Sequence, residues 1–169
     1  MRMDAIDRRI IQLVQEEPNL THTEIAKKVN RSQPTVGMRI RKLEESGVLQ
    51  FQAGINMKMA GLSFARVEVQ TLNPQKIIKL VQGCPYMLNA FRLSGDTNIS
   101  ILIAGNKLST LDKIVNYHFR NNPAVSSVSM DIITEIVNDF VLPIDLSFVC
   151  CDGERKECCC KQCEENSII

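Results

Sequence analysis

The sequence predicts an α+β protein built in two parts with a separate tail. Three observations predict it. Apolar residues recur at helical spacing from Asp4 to Leu43, interrupted by turn signals. From Phe64 onward, that period alternates with strict two-residue patterning. Six of the seven cysteines crowd into the last 20 residues.

The first part reads as three helices. Ile6, Ile10, Leu13 and Val14 make one buried stripe, with Asp4 as the N-cap and Pro18 ending the pattern. Thr21-His22-Thr23-Glu24 fits a capping box in which Glu24 reaches back to the Thr21 amide. Ile25, Ala26 and Val29 are the inner stripe of the second helix, and Asn30-Arg31 is the turn after it. Ser32 caps the third helix, and Pro34 lies in the first turn, where a missing N–H costs nothing. Val36, Ile40 and Leu43 face inward, and Gly47 ends the helix. Val48 to Leu62, with two glycines and mixed polarity, suggests a strand pair or wing and then a linker, with a domain boundary near Met59–Leu62.

Charge is unevenly spread along this nearly neutral chain of 169 residues. Residues 1–60 hold ten Lys/Arg against seven Asp/Glu, residues 61–149 hold seven of each, and residues 150–169 hold three against five. Between Lys27 and Leu43 there are six basic residues and no acidic one, which points to a polyanion site. With Val36 inward, Met38 and Arg41 point away from the core, and Gln33, Thr35, Gly37, Arg39 and Lys42 flank them. Such a face suits the major groove of DNA. Gln33 is the candidate for adenine and Arg39 for guanine, while Thr35 can hydrogen-bond either base or touch a thymine methyl. Lys27, Lys28, Arg31, Arg41 and Lys42 are the candidate phosphate contacts, with Ser32 and the helix amides as an anion site. The competing reading is a solvated basic surface. Gly37, costing about 1 kcal/mol relative to Ala in a helix interior, either permits close backbone approach or is a tolerated defect.

The second part changes character. Ala65, Val67 and Val69 alternate with Arg66, Glu68 and Gln70, as in a half-buried strand. Asn73-Pro74 opens a helix through Ile77, Ile78, Leu80 and Val81, ending at Gly83-Cys84-Pro85. Tyr86–Ser94 and Ile99–Ala104 are two strands joined by Gly95-Asp96-Thr97-Asn98. Leu108, Leu111, Ile114, Val115 and Phe119 line a helix stopped by Pro123, and Val125–Val137 is a long strand. The order β-α-β-β-α-β is the ferredoxin-like arrangement, two helices on one face of a four-stranded sheet. Pro143 demotes the apolar stretch Phe140–Val149 to an edge strand or arm.

With DAIDRRIIQLVQEEP, TEIAKKVNRSQPTVGMRIRKLEESGVLQ and LSGDTNISILIAG in view, the chain resembles the Lrp/AsnC (feast/famine) transcription regulators over about residues 3–140. The resemblance implies a winged helix-turn-helix domain at 1–60 and a ligand-sensing RAM-type domain at 61–149. It implies sequence-specific binding to double-stranded DNA by homodimers that assemble further, to tetramers or octamers. It also implies control by an amino acid or another small effector. The family places that effector at the subunit interface near the Gly-Asp turn, hence at Gly95, Asp96, Thr97 and Asn98, whose competing reading is an ordinary hairpin turn. Gly37 and the tail beyond Val149 depart from the family pattern.

The tail, residues 150–169, is cysteine-rich. Cys160 and Cys163 have the spacing of a metal knuckle, and Cys150 or Cys151 with Cys158 or Cys159 complete a four-thiolate set. The tail has no His, so the candidates are zinc or an iron–sulfur cluster, with metal or redox input to DNA binding. A reactive tail without a specific metal is the alternative.

No apolar run approaches a membrane span, and MRMDAIDRRI lacks the apolar core of a signal peptide. The expectation is a cytoplasmic, non-enzymatic regulator without membrane association. Two rivals stand beside it. One is a siroheme-decarboxylase-like enzyme of similar fold, which needs pocket His and Arg residues where this chain has only two His. The other is a metal or redox interaction protein without DNA binding.

Overall fold

The structure, a computed structural model, describes residues 3–144. The chain divides into two compact units, Met1–Gln52 and Ala53–Ile169. The six tail cysteines lie outside the described residues, as does the end of the stretch from Phe140 to Val149.

The first unit is three helices, α1 (Ala5–Glu16), α2 (His22–Val29) and α3 (Gln33–Glu45). Their starts follow from side-chain chemistry. Asp4 accepts from the Ile6 and Asp7 amides at 2.8 Å each, and the Asp7 carboxylate accepts from the Asp4 amide at 3.1 Å. Thr21 and Glu24 form the second reciprocal box, with Glu24 accepting from the Thr21 amide at 2.8 Å. That hydrogen bond holds the Glu24 carboxyl below its ordinary range. Asn30 takes the left-handed conformation, φ 51°, and turns the chain between α2 and α3. Gly47, at φ 71°, ends α3: its amide bonds the Glu44 carbonyl, and the Val48 amide bonds that of Leu43. Ile10, Leu13, Ile25, Val36, Ile40, Leu43 and Leu49 close the core between the helices.

The second unit opens with β1 (Ile55–Asn56), then β2 (Ser63–Thr71), α4 (Pro74–Gly83), β3 (Met87–Arg92), β4 (Ile99–Gly105), α5 (Leu108–Val115), β5 (Val125–Ile133) and β6 (Val141–Leu142). β2 to β5 form an antiparallel sheet in the order β3-β4-β2-β5. This is the expected βαββαβ topology. Ala65, Val67, Val69, Ile99, Ile101 and Ile103 face Ile77 and Val81 of α4 and Leu111, Ile114 and Val115 of α5. On the other face, Arg66 pairs with Asp131 at 3.0 Å and Glu68 at 3.5 Å.

Four expectations change. No strand pair forms inside Val48–Leu62: β1 pairs instead with β6, Ile55 opposite Leu142, so residues from Ala53 onward belong to the second unit and the division falls between Gln52 and Ala53. β5 ends at Ile133 rather than Val137. The last helix converts to a π-helical turn over Asn116–Arg120, with His118 and Phe119 buried. Leu108, expected inward, is 49% exposed at the start of α5.

Candidate nucleic-acid interface

α2 and α3 border a recess of about 750 Å³ lined by Thr23, Ala26, Lys27, Asn30, Arg31, Ser32, Gln33 and Thr35. Five of the expected DNA contacts, Lys27, Arg31, Ser32, Gln33 and Thr35, thus share one concave surface without a carboxylate in its lining. Arg31 is held by its own turn, Nη1 donating to the Asn30 carbonyl at 2.7 Å. The Ser32 and Thr35 hydroxyls bond one another at 2.7 Å. Ser32 therefore occupies the N-cap position of α3 without capping an amide, which differs from its expected capping role. Lys27, Gln33, Met38, Arg41 and Lys42 are exposed, and Met38 leaves 66% of its surface in solvent.

Two of the expected basic contacts pair with carboxylates. Lys28 Nζ lies 2.9 Å from Glu17 Oε1 in an exposed pair, an arrangement worth little and open to exchange for a phosphate. Arg39 is different. Its Nη1 donates to Asp4 Oδ2 at 2.8 Å and to Asp7 Oδ1 at 2.7 Å, and its side chain is only 26% exposed. Arg39 points at α1 and is paired with two carboxylates, whereas the guanine contact expected of it calls for a free guanidinium. The paired carboxylates lift the guanidinium's pKa further above its ordinary value, Asp4 contributing most. In return, the Asp7 amide first and Arg39 second bring the Asp4 carboxyl down to about 2. The acidic N-cap Asp4 and the first-turn Asp7 lie 35 and 32 residues from Arg39, so no local pattern in the chain signals this clamp.

The candidate effector turn divides similarly. Gly95 and Asp96 are exposed and Thr97 is half-buried. Asn98 is committed to the fold: its Oδ1 accepts from the Thr71 amide at 3.1 Å and its Nδ2 donates to the Thr71 carbonyl at 2.7 Å. The β2–β4 ladder ends at Val69 opposite Ile99, and Asn98, whose own amide bonds the Val69 carbonyl, uses its side chain to pair the Thr71 backbone groups beyond that end. Both ends of the Asn98 amide thereby hold Thr71, whereas the effector contact expected of it calls for a free side chain.

Among the described residues no cluster of His, Cys, Asp or Glu is arranged to hold a metal ion, and no helix is long and apolar enough to cross a membrane. Cys84, a buried free thiol, sits at the end of α4.

Residues 3–50 match the family described as winged helix-turn-helix DNA-binding. The HTH-type transcriptional regulator LrpC of Bacillus subtilis is 24% identical over 140 residues, covering 80% of this chain and 95% of that protein. The structure of E. coli AsnC superposes with a TM-score of 0.71 at 17% identity, covering 83% of this chain and 99% of that one. The transcriptional regulator NMB0573 of Neisseria meningitidis, in complex with L-Met, superposes with a TM-score of 0.69 at 21% identity, covering 86% and 98%. The chain carries a DNA-binding helix-turn-helix followed by an antiparallel α+β unit, and in sequence and fold it is similar to the transcription regulators of the Lrp/AsnC type.

Proposed function

We propose that this chain regulates transcription by laying α3 in the major groove of double-stranded DNA, with Gln33, Thr35 and Met38 at the base edges and Lys27, Lys28, Arg31, Ser32, Arg41 and Lys42 on the phosphates. The observation that supports this best is the α2–α3 recess, basic and polar with no acid in its lining. Replacing Arg31 and Arg41 together by Ala tests it. Two lost phosphate contacts should flatten the slope of log affinity against log salt by about two. An unchanged slope in titrations of duplex DNA would sink the assignment.

One helix-turn-helix reads few base pairs, so the active form is a homodimer or higher assembly whose second unit sets the spacing of two reading helices. The open face of its sheet, carrying Arg66, Glu68 and Asp131, is the surface for that pairing. The effector is a small molecule with the charged groups of an α-amino acid, held at Gly95, Asp96 and Thr97. The L-Met complex of a protein of similar fold supports that class of ligand. For the tail, Cys150, Cys151, Cys158, Cys159, Cys160 and Cys163 supply an all-thiolate donor set suited to zinc or an iron–sulfur cluster, so a metal or redox signal would enter there. Metal analysis of anaerobically purified protein decides this: no bound zinc or iron removes the metal from the scheme.

A further inference from the structure

His22 is the first residue of α2, and Gly37 lies in the middle of α3. A Cβ built on Gly37 would stand 3.3 Å from His22 Nδ1 and 3.7 Å from His22 Cε1. The imidazole of one helix thus fills the space in which the side chain of the other would begin. Glycine is a poor residue for a helix interior, so its presence here calls for a local reason. The His22 ring is that reason, because a Cβ at position 37 meets it closer than ordinary contact and the ring has to give by a few tenths of an ångström.

The location of the ring gives it a role. Gln33 and Arg41 lie four residues before and after Gly37 and share its side of α3. Both are exposed. His22 is exposed too, and it makes no hydrogen bond to another described residue. The row that runs along this side of α3 therefore reads Gln33, His22, Arg41, with the middle polar group lent by the neighbouring helix. In a helix-turn-helix the first helix crosses the sugar–phosphate backbone while the second enters the groove. A ring carried by α2 and seated on α3 stands where those two zones meet.

We propose that His22 is a DNA-backbone contact whose imidazole N–H donates to a phosphate oxygen, and that Gly37 exists to seat it. This rests on the DNA-binding reading above. The test uses the full chain and a labelled random-sequence duplex of about 30 base pairs at low salt, where phosphate contacts dominate affinity. His22→Ala should weaken binding about tenfold, the loss expected for one hydrogen bond to a charged group. His22→Gln, which keeps an N–H donor, should recover part of it. Gly37→Ala should leave the thermal midpoint unchanged or raised, since Ala is the better helix former, yet bind several-fold more weakly because its methyl displaces the ring. The motif selected from a randomised duplex pool should be the same for His22→Ala as for the unaltered chain. Equal affinity of His22→Ala and the unaltered chain overturns the contact. A changed motif overturns the phosphate assignment, and undisturbed binding by Gly37→Ala overturns the seating role. An unaltered chain that retains no duplex at all overturns the DNA-binding reading itself.

Discussion

Arg39 Nη1 lies 2.7 Å from Asp7 Oδ1 and ties the middle of α3 to the first turn of α1. Asp7 is only 7% exposed, so its carboxylate depends on this partner and on the Asp4 amide. Arg39→Ala leaves a nearly buried charge unpaired and should lower the stability of the helix-turn-helix unit by about 2–3 kcal/mol. Arg39→Lys, with a point charge in place of the planar fork, should lose less. Denaturant midpoints of residues 1–52 in the full chain, followed by amide resonances, check both. Any loss of DNA affinity should track unfolding and leave the selected base motif unchanged.

Asp4 gives the same clamp a pH dependence. Its folded-state pKa of about 2 lies below the ordinary 3.8. A depressed carboxylate pKa contributes stability that is complete above the unfolded value and is lost as pH falls through the folded one. The unit should therefore lose this contribution between about pH 4 and pH 2. Asp4→Asn should be less stable than the unaltered chain at neutral pH, with the gap closing across that window. Thermal midpoints measured at intervals from pH 7 to pH 2 check it, and a constant gap would count against the mechanism.

Asn98 pairs the Thr71 backbone beyond the end of the β2–β4 ladder. Asn98→Ala leaves the Thr71 N–H and C=O without the partners they have at 3.1 and 2.7 Å. The expected cost is about 2 kcal/mol to the second unit. Amide exchange at Thr71 should accelerate far more than at Val67. An Asn98→Ala chain that keeps its stability but loses response to an amino acid would restore Asn98 to the effector site.

Gly54 has no room to grow. A Cβ there would approach the Leu142 carbonyl carbon and oxygen to 2.8 Å, and Val141 Cγ1 to 2.8 Å. Two of those three contacts are backbone and cannot swing away. Gly54→Ala should separate β1 from β6 and cost about 1–3 kcal/mol. Loss of protection at the Met57 amide, which bonds the Phe140 carbonyl at 2.8 Å, is the local readout.

The legible and illegible parts of this chain differ in sequence range. The Asp4 cap, the Thr21–Glu24 capping box, the Asn30 turn, the end of α3 at Gly47 and the alternation through β2 are local, written within a few residues, and the structure follows them. The β-α-β-β-α-β order is local patterning repeated, so the topology was legible as well. What escaped depends on residues far apart in the chain. Arg39 meets Asp7 across 32 residues, and Asn98 reaches Thr71 across 27. Both look like free polar groups on a helical wheel or in a turn. Gly37 looks like a defect until α2 is laid beside it with His22 pointing down. The partner of β1 lies beyond the whole ferredoxin-like unit, so no pattern inside Val48–Leu62 distinguishes it from half of a local wing.

The pairing of β1 with β6 makes the second unit a cassette. Ala53, Gly54, Ile55, Pro143 and Ile144 all border one recess of about 470 Å³, so the first and last described residues of the unit lie side by side. A domain with adjacent ends can be excised, permuted or grafted into a loop of another protein without stretching its host. A short link from Ala53 to Ile144, with the chain opened at another loop, would leave all four strands of the sheet in place.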